Sequence, residues 1–193
     1  MHDPTPANSD LCEARGSHRL FFALWPDDAT RVAIAAAAAR LRIRAHGGRW
    51  TAVDRYHLTL QFLGTWSQLP DSLVHAACTA AAGVRAPGFS ITLDCIGSFR
   101  TRSHLWWLGC QRPEPLLRLR EVLMGALENQ GVPAAPAAFV PHVSLVRGAR
   151  RPPPRDAGIV PIVWPVHGFA LIHSESGARD AYRVLDNWPL ASG

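Results

Sequence analysis

The chain has 193 residues, 48% of them apolar, and carries 20 Lys and Arg against 15 Asp and Glu for a net charge of +5. That length and apolar content support one domain, or two small lobes on a shared core, and exclude a disordered chain. No lysine is present, so all the non-histidine basic charge is arginine, which forks onto phosphate, although genomic GC content produces the same bias.

In chain order, residues 1–17 are polar and aperiodic and are expected to form a flexible tail ahead of a single domain at 18–193. Arg19-Leu-Phe-Phe-Ala-Leu-Trp25 predicts a buried strand. Pro26-Asp27-Asp28 opens a helix that runs to about Arg44, before Gly47-Gly48. Trp50–Val53 is a short strand and His57–Leu63 a longer one, stopped by Gly64. A second helix spans Gln68 to about Val84, and Phe89–Ile96 alternates as a half-exposed strand. Gly97–Ser103 is expected to turn, with His104–Cys110 as the next strand. The third helix, Pro113–Gln130, has Leu116, Leu117, Leu119, Leu123 and Leu127 mainly on one side. Strands at His142–Val146, Ile162–Val166, Phe169–His173 and Tyr182–Leu185 follow, interrupted by the Pro- and Arg-rich loop Arg150–Gly158. Strands and helices mix without strict alternation, which predicts an α+β fold with antiparallel sheets.

Two segments repeat one pattern: His57-Leu58-Thr59-Leu60 and His142-Val143-Ser144-Leu145. On a strand, residues i and i+2 share a face. Each motif therefore buries two aliphatics and presents an imidazole beside a hydroxyl. Chance would supply this pattern only ~0.1 times in a chain of this composition. Two such strands lining one cleft match the needs of phosphodiester hydrolysis. One neutral imidazole takes a proton from water and one imidazolium protonates the leaving oxygen. The hydroxyls donate to the non-bridging oxygens as their charge grows. No metal is required, and the rate profile should be bell-shaped with both limbs near neutral.

The paired motifs resemble the signature of the two-histidine (2H) phosphoesterases. Together with Arg19–Asp27, His57–Gly64, Pro141–Arg147 and Tyr182–Leu190, they are similar to the bacterial and archaeal RNA 2′,3′-cyclic phosphodiesterases, also called 2′-5′ RNA ligases, over about residues 18–190. The resemblance implies a bilobal α+β fold, with two antiparallel-rich sheets around a central cleft, helices outside and one motif from each lobe. It implies hydrolysis of cyclic phosphate ends of RNA to a 2′-phosphate, with a weak reversible 2′-5′ ligation in which the roles exchange. His57 would be the proton donor and His142 the acceptor, and Thr59, Ser144 and Arg147 would hold phosphate. Ser144 departs from the family's usual threonine: the donor remains, but the methyl that restrains its rotamer is lost. Strict alternation puts Arg147 on the face of Val143, so it reaches phosphate only if the strand ends or bulges. The implied substrates are RNA with a cyclic phosphate end or cyclic nucleotides. No cofactor, membrane or obligate protein partner is expected, and a cytoplasmic monomer is the default.

The remaining candidates point elsewhere. His104, His167 and His173 lie on or near strands without a second motif and read as structural or exposed. Arg100 and Arg102 are candidates for an RNA backbone but read first as solvated loop charge. Of the adjacent Trp106 and Trp107, one should face the core and the other the opposite face. Cys12, Cys78, Cys95 and Cys110 lack metal-ligand spacing and read as free thiols in a reducing compartment. Two other functions fit these residues. One is a non-catalytic binder of RNA ends, and the other is a 2H enzyme acting on 2′-5′ oligonucleotides or small cyclic nucleotides.

Overall fold

The structure is a computed structural model, and it describes residues 16–133, 138–176 and 182–191. Residues 1–15 of the expected tail, and Cys12 with them, lie outside the described residues. Gly16 N–H and Ser17 O already bond to Ser176, so the paired chain begins ahead of the expected boundary.

Strand β1 (His18–Leu24) forms because both of its faces find apolar cover. Leu20, Phe22 and Leu24 enter the main core, while Phe21 and Ala23 join a second cluster with Ala170 and Ile172. Helix α1 (Asp28–Arg42) is capped by Asp27, whose carboxylate accepts the Thr30 N–H at 2.7 Å. Strand β2 is only Arg49–Trp50, because the chain then coils into a 3₁₀ turn at Val53–Arg55. After β3 (Leu58–Trp66), helix α2 starts at Asp71 rather than at Gln68 and ends at Ala82. Pro70 disfavours helical backbone in the residue before it, which delays the start.

The expected strand Phe89–Ile96 divides at Asp94 into β4 (Phe89–Leu93) and β5 (Cys95–Arg100), which belong to different sheets. Asp94 secures the break, its carboxylate accepting Gln111 N–H and its own N–H donating to Gly109 O. β5 also runs through much of the segment expected to turn, so that only Thr101–Ser103 separate it from β6 (His104–Gly109). In α3 (Glu114–Asn129), Leu116, Leu119, Leu123 and Leu127 form the buried stripe, whereas Leu117 is turned to solvent. The chain closes with β7 (His142–Ala149), β8 (Ile162–Val166), β9 (Gly168–Glu175) and β10 (Tyr182–Pro189).

One arm of antiparallel sheet has the order β10-β9-β1-β3, and the other β7-β6-β5 with β2 on the outer part of β7. The two arms are not separate sheets, since the pair Leu58–Val143 joins β3 to β7. A two-stranded ribbon, β4-β8, stands apart. The helices cover the face that bears Leu20, Phe22 and Leu58, and Phe21, Ala23, Ala170 and Ile172 pack as a separate cluster on the opposite face. Among the described residues, no helix is long and apolar enough to cross a membrane. Cys78, Cys95 and Cys110 are free thiols, and burial raises all three, Cys110 to about 11.

Candidate active site

Leu58 and Val143, the pair at the junction, are both fully buried. Hiding these two side chains, each worth about 1.5–3 kcal/mol of apolar burial, turns their neighbours to the opposite face of the sheet. His57 and Thr59 flank Leu58, and His142 and Ser144 flank Val143, so the single pair places all four side chains next to the junction. The structure thus brings the two motifs to one junction, close enough that the His142 charge acts on His57.

Both rings are held in the same way. His57 Nδ1–H donates to Arg55 O at 2.8 Å, and His142 Nδ1–H donates to Val140 O at 2.7 Å. A carbonyl can only accept, so the neutral rings carry their proton on Nδ1 and keep a lone pair on Nε2 for a reacting group. The 3₁₀ turn presents the Arg55 carbonyl, and Pro141 restricts Val140 to the extended backbone that presents the other.

Aromatic rings enclose the imidazoles. Around His57 lie Phe21 at 5.2 Å, Tyr182 at 5.4 Å and Trp25 at 5.8 Å between centroids, the last tilted from parallel by only 11°. This burial pushes the His57 pKa from 6.5 down to about 4. The bond to Arg55 opposes the shift, and the charges of Arg147 and His142 add to it. His142 meets the edge of Phe99 at 5.0 Å and has Trp107 at 6.2 Å. Its pKa is lowered by burial against the bond to Val140, with Arg147 again pushing downward. Trp107 lies so close to the backbone that a Cβ at Gly97 or Gly109 would overlap its ring. Trp106 takes the other face, buried, with its indole N–H on Arg151 O at 2.7 Å.

Arg147 lies on the same face as the imidazoles because β7 bulges, and its charge acts on both. Trp107 pairs with Ser144 and Trp106 with Val146, which leaves Leu145 as an extra residue. Leu145 and Val146 are consequently both buried, and the alternation resumes with Arg147 on the face of His142 and Ser144. β3 carries the same device, with Leu60 extra between the pairs Ala23–Thr59 and Phe22–Gln61. Leu60 and Gln61 are both buried, and Phe62, 49% exposed, returns to the face of Thr59.

The other candidates stay apart. His104 Nδ1 meets Ser98 Oγ at 3.3 Å, His173 Nε2 meets His18 Nδ1 at 2.9 Å, and His167 is exposed. Arg100 and Arg102 stand at the tip of the β5–β6 hairpin. Among the described residues, no group of three or more His, Cys, Asp or Glu is placed to hold a metal ion. Sequence reasoning missed the aromatic enclosure and the two orienting carbonyls. The Pro before His142 was the one available sign of the latter.

An α+β fold with two H-x-[ST]-hydrophobic strands at one cleft defines a two-histidine phosphoesterase. The chain belongs to the 2′-5′ RNA ligase superfamily, whose family description matches residues 26–178. It is 36% identical over 149 residues to the RNA 2′,3′-cyclic phosphodiesterase of Escherichia coli strain K12, covering 74% of this chain and 80% of that protein. To the RNA 2′,3′-cyclic phosphodiesterase of Thermus thermophilus it is 32% identical over 183 residues, 89% of this chain and 90% of that protein. Among solved structures, apo E. coli LigT superposes with a TM-score of 0.72 at 32% identity, covering 91% of this chain and 99% of that one.

Proposed function

We propose that this protein opens the 2′,3′-cyclic phosphate at RNA ends to a 2′-phosphate, by acid–base catalysis from His57 and His142 and without a metal. The observation that carries this reading is the pair of imidazoles flanking one strand junction, each bonded through Nδ1 to a carbonyl so that Nε2 is left for a reacting group. The names of the relatives supply the substrate class. Water attacks phosphorus and passes a proton to His142. The P–O3′ bond breaks, and His57 gives its proton to O3′. Thr59 and Ser144 donate to the non-bridging oxygens, and the Arg147 charge offsets theirs. With the 5′-hydroxyl of a second RNA in place of water, the same step forms a 2′-5′ link with His142 still the base, so the exchange of roles expected from the resemblance belongs to the reverse, cleaving direction. The protein would act as a cytoplasmic monomer on cyclic-ended RNA or cyclic nucleotides.

The test is incubation of a 2′,3′-cyclic mononucleotide and a cyclic-ended RNA in excess chelator, with the product read by phosphorus NMR. Turnover to a 2′-phosphate that resists chelator is expected. Turnover that disappears with chelator would sink the metal-free mechanism, and binding without turnover would select a non-catalytic RNA-end binder. Thr59→Ala and Ser144→Ala should each lower kcat by about 10- to 10³-fold, the loss of one charge-stabilising donor. Steady-state kinetics at fixed pH checks this, and an unchanged kcat in both variants would remove the hydroxyls from the mechanism.

A further inference from the structure

Arg120 lies on α3, on neither motif strand, yet it touches the approach to both. Its Nε–H donates to Leu60 O at 3.0 Å, and an Nη2–H donates to Gln61 Oε1 at 3.0 Å. Leu60 is the extra residue of the β3 bulge and directly follows Thr59. Gln61 is 6% exposed, and its Nε2–H goes on to Phe62 O at 3.0 Å. The bulge therefore depends on a buried polar side chain that Arg120 satisfies, and an unsatisfied group there would be costly. The guanidinium also lies over the ring of Phe139, 4.6 Å from its centroid. Phe139 precedes Val140, whose carbonyl orients His142.

β3 and β7 are paired only at Leu58–Val143, so the ladder does little to hold the strands in register beyond that point. Arg120 bridges from β3, at the carbonyl after Thr59, to the segment leading into β7 and His142. We infer that Arg120 is a positioning residue for the reaction proposed above: it fixes the Thr59 hydroxyl relative to the His142 ring. Arginine suits the place because its planar fork makes two directed bonds while its face covers an aromatic ring. A lysine ammonium makes point contacts and cannot do both. A displacement of about 1 Å at a reacting group costs on the order of 10²-fold in rate.

The test compares Arg120→Met, Arg120→Lys and Phe139→Leu with Leu123→Ala, a cavity variant buried on the same helix. Arg118→Met serves as an exposed control. Kinetics with a 2′,3′-cyclic mononucleotide are run well below every melting midpoint. Arg120→Met should lose about 10- to 10²-fold in kcat with KM changed less than about 3-fold, and Arg120→Lys and Phe139→Leu should fall between it and the wild type. Leu123→Ala should keep its kcat even where its midpoint drops as far, and Arg118→Met should match the wild type. The loss from Arg120→Met should shrink in a Thr59→Ala background, because the two side chains act through one geometry. A second readout is independent of turnover: the His142 ring resonances in proton NMR should shift in Arg120→Met and stay in place in Leu123→Ala. Full kcat in folded Arg120→Met or Arg120→Lys, or unmoved His142 resonances, would overturn the positioning role. A wild-type protein that fails to turn over while the resonances still shift would sink the catalytic reading and leave the bridge standing.

Discussion

His57→Asn and His142→Asn should each lower kcat by about 10²- to 10⁴-fold, the range for loss of one acid or base. Asparagine is the informative replacement. Its amide N–H sits near the position of Nδ1 and keeps a donor for the carbonyl of Arg55 or Val140, while nothing remains where Nε2 stood. The local fold should therefore survive and the proton transfer should not. Thermal midpoints and circular dichroism of the variants check the first half, and single-turnover kinetics on a cyclic-ended oligonucleotide check the second. The double variant should be little worse than either single one, since acid and base serve the same step. Either single variant retaining more than about a tenth of the wild-type rate while folded would show that its imidazole is not in the proton path.

The pH dependence should depart from the profile expected of ordinary histidines. Burial lowers both pKa values, that of His57 to about 4. The competent free enzyme holds one proton on the pair, and at pH 7 that form is a minor species. So kcat/KM, which reports the free enzyme, should peak on the acid side of 6.5 and fall about tenfold per pH unit above its upper limb. An anionic phosphodiester between the rings stabilises imidazolium, so the upper limb of kcat should lie at higher pH. Limbs for kcat/KM that both lie near neutral would show that the aromatic enclosure does not desolvate the rings.

The same shift sets a stability term. The folded pKa of His57 is below its unfolded value of 6.5, so the unfolded chain binds more protons between about pH 6.5 and 4. The contribution is complete above 6.5 and is lost as pH falls toward 4, on the order of 3 kcal/mol from this group. Urea unfolding across that window should show the loss, and His57→Asn should flatten it. A wild-type protein equally stable at pH 4.5 and 7 would refute this.

Which side chains stand together on each motif strand was legible in the sequence, because a strand's period of two is a local property. His57 with Thr59 and His142 with Ser144 share faces wherever the strands go, and the buried Leu58 and Val143 point the other way. The third helix, the early strand of Leu20 and Phe22, and the mixed α+β order follow from periodicity in the same way. The break at Asp94 was not legible, because it depends on Gln111 and Gly109, which arrive from later in the chain.

By itself, the order of residues determined which side chains stand beside each other on each motif strand, and hence the type of chemistry on offer. Only the tertiary structure decided that the two strands meet at Leu58 and Val143, and that a bulge puts Arg147 on the face of His142 and Ser144. It also decided that aromatic rings from β1, β5, β6 and β10 strip water from the imidazoles. The physical reason is one of range. Side-chain direction follows from backbone torsions within a few residues, whereas register between strands and the desolvation of a ring are set by groups that chain folding brings from far along the sequence.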